Sequence, residues 1–188
     1  MSDLTLEQRL RCSHVKRWHM VRVFREQTRA EHLMLVQIVA LEAADRYIAE
    51  SGFFGDPRLF RLEVMEWAMW HDMPEVVTGD IAPPTKKLIE HSGGQTLLNG
   101  IERRVGGRFA RLDATTGEAA KLIVGFADIY DAIRFLHWEG HGPRALEIER
   151  MIINSMADHI KKTRDVMLDG LADVFQSMFD GMTYDSNE

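Results

Sequence analysis

The sequence predicts an all-α fold, and three observations carry that prediction. No stretch of the 188 residues alternates apolar and polar side chains as a half-buried strand does. Apolar residues recur instead at the three-, four- and seven-residue spacing of a helix face. Helix-start signals, Thr28-Arg29-Ala30-Glu31 and Asp56-Pro57, stand directly ahead of two such runs.

A first short helix is expected over about Thr5 to Cys12, with Lys16 to Met20 at a helix end or loop. The capping-box pattern at Thr28 starts a helix that runs to about Ser51 and stops at Gly52. Its buried face carries His32 with Leu35, Val36 and Val39. Asp56 and Pro57 suit the N-cap and first turn of the next helix, which is apolar nearly all round and is expected to run through the core. His71 and Asp72 fall at its end, where Pro74 disfavours helical geometry at Met73. Residues 85 to 112 read as short helices broken by paired glycines. A long helix follows over about Thr116 to Trp138, with Asp128 on the face of Val124, Ala132 and Phe135. A final helix is expected from Pro143 to about Phe179, and the polar tail from Tyr184 to Glu188 frays.

Composition sets the frame. With 45% hydrophobic and 28% charged residues the chain is an ordinary globular protein, long enough for one domain over 1–188 with its own core. A formal net charge of -6 speaks against wholesale attraction to a nucleic acid polymer or an anionic membrane. Cys12 is the single cysteine, which fits a reducing compartment. The N-terminal residues have no signal-peptide pattern, and no apolar run reaches the roughly 18 residues of a membrane span. A cytoplasmic protein is expected.

Polar residues inside apolar helices need partners, and a metal ion would partner several at once. His32, His71, Asp72 and Asp128 stand in three such helices. Each alone is more often a hydrogen-bonded core group or a charge-paired acid than a ligand. Their conjunction favours one divalent transition metal, since two imidazoles and two carboxylates suit Co, Mn, Zn, Fe or Ni. Such an ion would activate water and polarise a phosphoryl group. Glu75, three residues past Asp72, can reach the same pocket as an acid/base, although a helix-end acid is the plainer reading. Asp80 follows Gly79 in a turn, where it closes the turn or supports the site. Arg17 and Lys86 are candidate phosphate binders, and Trp18 can stack on a base or sugar; taken singly, each suits an ordinary surface or core position. His14, His19, His91, His137 and His141 lack comparable settings.

These residues resemble the HD-domain metal-dependent phosphohydrolases, and more narrowly the bacterial 5′-deoxynucleotidase branch. The matching stretches are Arg17-Trp18, Thr28-x-x-Glu31-His32, the run from His71-Asp72 through Glu75, Thr78-Gly79-Asp80 and Pro84 to Lys86, and Ala127-Asp128. The resemblance implies a single-domain HD-type helical bundle with one metal on His32, His71, Asp72 and Asp128. It implies Glu75 as acid/base, with Asp80 assisting, Arg17 and Lys86 on phosphate, and Trp18 on a sugar lacking a 2′-hydroxyl. The activity implied is hydrolysis of a 2′-deoxynucleoside 5′-monophosphate to deoxynucleoside and phosphate. A related phage branch implies the alternative, dATP to deoxyadenosine and triphosphate, with Met20 and Pro84 at the base. His19-Met20 stands where the bacterial enzymes carry Pro-Leu. The expected partner is a small-molecule deoxynucleotide, in a bacterial cell or phage-infected host. A homo-oligomer is implied too, and the aromatic helices offer apolar surface for it. A non-catalytic nucleotide-sensing helical module is the third reading, and the presence of Glu75 argues against it.

Overall fold

The computed structural model describes residues 4–51, 53–81, 85, 88–89, 91–94, 96, 100 and 107–182. Among them helices are joined by turns, and extended pairing is limited to two isolated bridges, Lys16 with Thr28 and Val23 with Gly140. No described helix is long and apolar enough to cross a membrane.

Helix α1 (Leu6–Leu10) starts at Thr5 with a reciprocal capping box to Gln8 and tightens into a 3₁₀ turn over Arg11–Ser13. Residues 15–28 form a loop closed by backbone hydrogen bonds from Arg17 N to Gln27 O (3.0 Å) and from Arg29 N to Val15 O (2.7 Å). Helix α2 (Arg29–Glu50) begins where its cap predicts, with the Thr28 hydroxyl accepting from Glu31 N at 3.2 Å. Only half of the box forms, because the Glu31 carboxylate turns to Arg25 at 2.7 Å. Helix α3 (Pro57–Trp70) has Asp56 as N-cap and Pro57 in its first turn, as the sequence requires.

The expectation that α3 runs through the core is corrected. Phe60, Val64, Trp67, Ala68 and Trp70 are buried, but Leu59, Leu62, Met65 and Met69 lie on an exposed face. An apolar surface shows what a helix tolerates, not what covers it. The enclosed helix is α6 (Glu118–Glu139), on which Leu122, Ile123, Val124, Phe126 and Ala127 are each at most 2% exposed. It packs against α2, α3 and α7 (Pro143–Asp165). The α6–α7 approach depends on Gly125, where an added Cβ would stand 2.8 Å from the ring of His159. His159 Nε2 donates to Leu122 O at 2.8 Å, and burial holds this imidazole below its usual range. Between α3 and α6 the described residues include the single turn α4 (Glu75–Thr78) and α5 (Gly107–Thr115), with 85, 88–89, 91, 96 and 100 also helical.

The single final helix is also corrected. α7 ends at Asp165, and α8 (Asp169–Asp180) folds back to bury Leu171, Val174, Phe175 and Met178. One helix over 143–179 would be about 55 Å long, too long for those residues to reach this core. The stacked rings of Phe126 and Phe175, 4.3 Å apart, mark where α8 closes it. The break is made at Met167, with φ 61 and 82% exposure. That conformation costs a residue with a Cβ about 1–2 kcal/mol, and glycine's extra freedom offsets about 0.5–1 kcal/mol of the relief. Met167→Gly is therefore expected to stabilise the fold by about 0.5–1 kcal/mol. A raised urea midpoint would show this, and a lowered one would contradict it.

Candidate metal centre

The first turn of α2 places His32, which is fully buried. At the end of α3 the backbone tightens, with Met73 N donating to Trp70 O (3.1 Å) and Glu75 N to Asp72 O (3.0 Å). This turn lets neighbours His71 and Asp72, which would diverge by about 100° on a continuing helix, face one point. Asp128 comes from the middle of α6. One ligand atom from each of His32, His71, Asp72 and Asp128 lies within 4.8 Å of all the others. His32 Nε2 stands 3.2 Å from Asp128 Oδ1 and 3.4 Å from Asp72 Oδ2, and His71 Nε2 stands 3.3 Å from Asp72 Oδ2. Ligands at about 2.0–2.2 Å from an ion sit about 3–3.5 Å apart side by side, which is the spacing of these three pairs.

The donor chemistry fits as well. His71 Nδ1 donates to Ala68 O at 2.8 Å, and His32 Nδ1 lies 2.7 Å from Asp131 Oδ2. Both Nε2 atoms are buried with no hydrogen-bond partner. Two orphaned imidazole nitrogens turned toward two carboxylates make a donor set that suits a divalent cation. The electrostatics agree. Burial works against a charged His32 and Arg17 repels it, yet the surrounding carboxylates of Asp128, Asp131 and Asp72 push its pKa up to about 9. Burial would raise Asp128, but His32 beside it brings it down to about 2. Burial opposes ionisation of Asp72 too; His71, His32 and Arg29 hold it well below the carboxylate range.

Glu75 and Asp80 join this centre through a residue that the sequence reading passed over. Arg29 is 1% exposed, donating from Nη1 to Asp72 Oδ2 (2.5 Å) and from Nη2 to Asp80 Oδ1 (2.8 Å), and its Nη2 is ion-paired with Glu75. Gly79, at φ 76 and ψ 167, takes a conformation nearly reserved for glycine and brings Asp80 back to this guanidinium. Arg29 precedes His32 by three residues on the same face of α2, which was the available signal. Asp131 and Gln27, 2% and 0% exposed, were passed over likewise. Asp131 follows Asp128 by one helical turn; Gln27 precedes the N-cap and carries no comparable signal.

Arg17 stands 3.5 Å from Asp128 Oδ1 and 3.2 Å from Asp131 Oδ2. Trp18 adopts φ 64, stacks on Phe135 at 5.7 Å and donates from Nε1 to Gln27 Oε1 at 2.8 Å. Met20 is exposed on the same loop. Pro84 and Lys86 lie outside the described residues.

An all-α bundle that presents two histidines, an adjacent aspartate and a distant aspartate around one point, with a glutamate beside them, defines an HD-domain metal-dependent phosphohydrolase. The chain belongs to the 5′-deoxynucleotidase YfbR-like family, whose model matches residues 6–135, and is thus a hydrolase of deoxynucleotides. It is 31% identical over 167 residues to a dATP triphosphohydrolase of Acinetobacter phage SH-Ab 15497, covering 85% of this chain and 81% of that one. A 5′-deoxynucleotidase of Enterobacter sp. (strain 638) is 30% identical over 126 residues, 61% of each chain. The solved HD phosphohydrolase (DatZ) of Cyanophage S-2L, bound to dA and one catalytic Zn²⁺ ion, superposes with a TM-score of 0.80 at 27% identity over 96% of both chains.

Proposed function

We propose that this protein hydrolyses dATP to deoxyadenosine and triphosphate. The likeness that extends over 96% of the chain to an HD phosphohydrolase bound to dA and Zn²⁺ carries this reading. The dATP triphosphohydrolase relative also covers more of the chain than the 5′-deoxynucleotidase does, 85% against 61%.

His32, His71, Asp72 and Asp128 would hold the ion. A divalent transition metal bound there supplies Lewis acidity toward the reacting phosphate and the attacking water. Glu75 takes a proton from water as its oxygen bonds to the α-phosphorus, and returns one to O5′ as the P–O5′ bond breaks. Arg17 offers its fork to phosphate oxygens, with Asp128 and Asp131 fixing the guanidinium. Trp18, held between Phe135 and Gln27, presents its indole to the deoxyribose. Asp80 keeps Arg29 in place beside Glu75. Lys86 would contact phosphate, and Met20 and Pro84 the base.

The same P–O5′ bond is cleaved in a monophosphate, so the second reading, a 5′-deoxynucleotidase, needs no change in the reacting groups. The family description favours it. Product identification after incubation of zinc- or cobalt-loaded protein with dATP, dAMP, the other deoxynucleotides and ATP separates the two. Deoxyadenosine and intact triphosphate from dATP are expected, with ATP a poor substrate. Turnover of dAMP alone would replace the first reading with the second.

A further inference from the structure

We propose that Asp131 is a positioning residue of the metal centre, with one carboxylate oxygen that orients His32, Arg17 and, through Gln27, Trp18. Asp131 is 2% exposed, one helical turn beyond Asp128 on α6. Its Oδ2 receives Gln27 Nε2 at 2.9 Å, Arg17 Nη1 at 3.2 Å and His32 Nδ1 at 2.7 Å.

Each contact fixes a choice that would otherwise be open. An ionised carboxylate only accepts, so a ring nitrogen 2.7 Å from it carries the hydrogen. Arg17 Nη1 also lies against His32 Nδ1. A guanidinium has only hydrogens to offer, so the two cannot bond to each other while His32 donates. Both therefore converge on Asp131. With the hydrogen on Nδ1, the orphaned Nε2 presents its lone pair to the metal centre. Gln27 is fully buried, and its amide can face only one way, because Oε1 accepts from Trp18 and Nε2 donates to Asp131. Trp18, at φ 64, is thereby tied to the carboxylate that sets the tautomer of a ligand.

This inference rests on the reading of His32 as a metal ligand, and zinc affinity separates the two. Competition against a chromophoric chelator is compared for wild type, Asp131→Ala, Asp131→Asn and Gln27→Leu, with circular dichroism to confirm folding. Asp131→Ala is expected to lose about 10–100-fold in zinc affinity. Asp131→Asn, which keeps an accepting oxygen but not the charge, is expected to fall between it and wild type. Gln27→Leu, which removes one of the donors to Asp131 but leaves the contact with His32, is expected to lose less than Asp131→Ala. A folded Asp131→Ala that binds zinc like wild type would overturn the proposal. Wild type that binds no zinc would instead defeat the ligand reading. In that case the downfield Nδ1 proton of His32 in the metal-free protein still decides: its loss in Asp131→Ala, which removes the acceptor, supports the orienting role of Asp131, and its absence from wild type defeats the proposal.

Discussion

Asp72→Ala is expected to leave the purified protein without its metal and without measurable turnover. The four candidate ligand atoms lie within 4.8 Å of one another, and Asp72 Oδ2 is the atom near both imidazoles, 3.4 Å from His32 Nε2 and 3.3 Å from His71 Nε2. Four-ligand zinc sites bind with about 10–16 kcal/mol. An even share is about 2.5–4 kcal/mol, or about 60- to 900-fold in affinity for one lost ligand. Asp72 also accepts from the buried Arg29, so its removal loosens the support of Glu75 and Asp80 as well. His71→Ala provides the cleaner comparison, since that ring touches no part of the Arg29 cluster beyond Asp72 itself. Elemental analysis after dialysis, alongside product release from dATP, checks both variants. Near-stoichiometric metal in either one would remove that residue from the ligand set.

This candidate ligand set was legible because helix periodicity makes a polar residue on an apolar face conspicuous, and His32, His71, Asp72 and Asp128 each interrupt such a face. Caps made the starts of α2 and α3 legible for the same local reason. What failed was whatever depends on distant parts of the chain. An apolar α3 does not reveal that Leu59 and Leu62 lie exposed, and the enclosure of α6 depends on α7 and α8 folding across it. Met167 is no turn residue by type; the burial of Leu171 and Phe175 forces the break there. Arg29 looks like an ordinary solvated charge in a first helical turn. It is buried only because carboxylates from the end of α3, from α4 and from the loop after it converge there. Asp131 likewise acquires its meaning from Arg17, Gln27 and His32, between 99 and 114 positions earlier in the chain.

Glu75→Gln should separate chemistry from metal binding. Glu75 opens α4 beside the ligand group without belonging to it, and its carboxylate meets Arg29 rather than either imidazole. Glutamine keeps the shape and an accepting oxygen for Arg29 but cannot take a proton from water. Loss of a positioned acid/base costs about 10²–10⁴-fold in rate, equivalent to about 2.7–5.4 kcal/mol on the barrier. The expected variant therefore keeps wild-type metal content and a KM close to wild type, with kcat down by about 10²–10⁴-fold. The split in outcome is informative because Arg29 bridges Glu75, Asp72 and Asp80. If Glu75 acted only by holding that cluster together, metal content and kcat would fall in step. If turnover persisted at the wild-type rate with the ion in place, the proton would have to pass through another group, and Asp80, linked to the same guanidinium, would be the next to test.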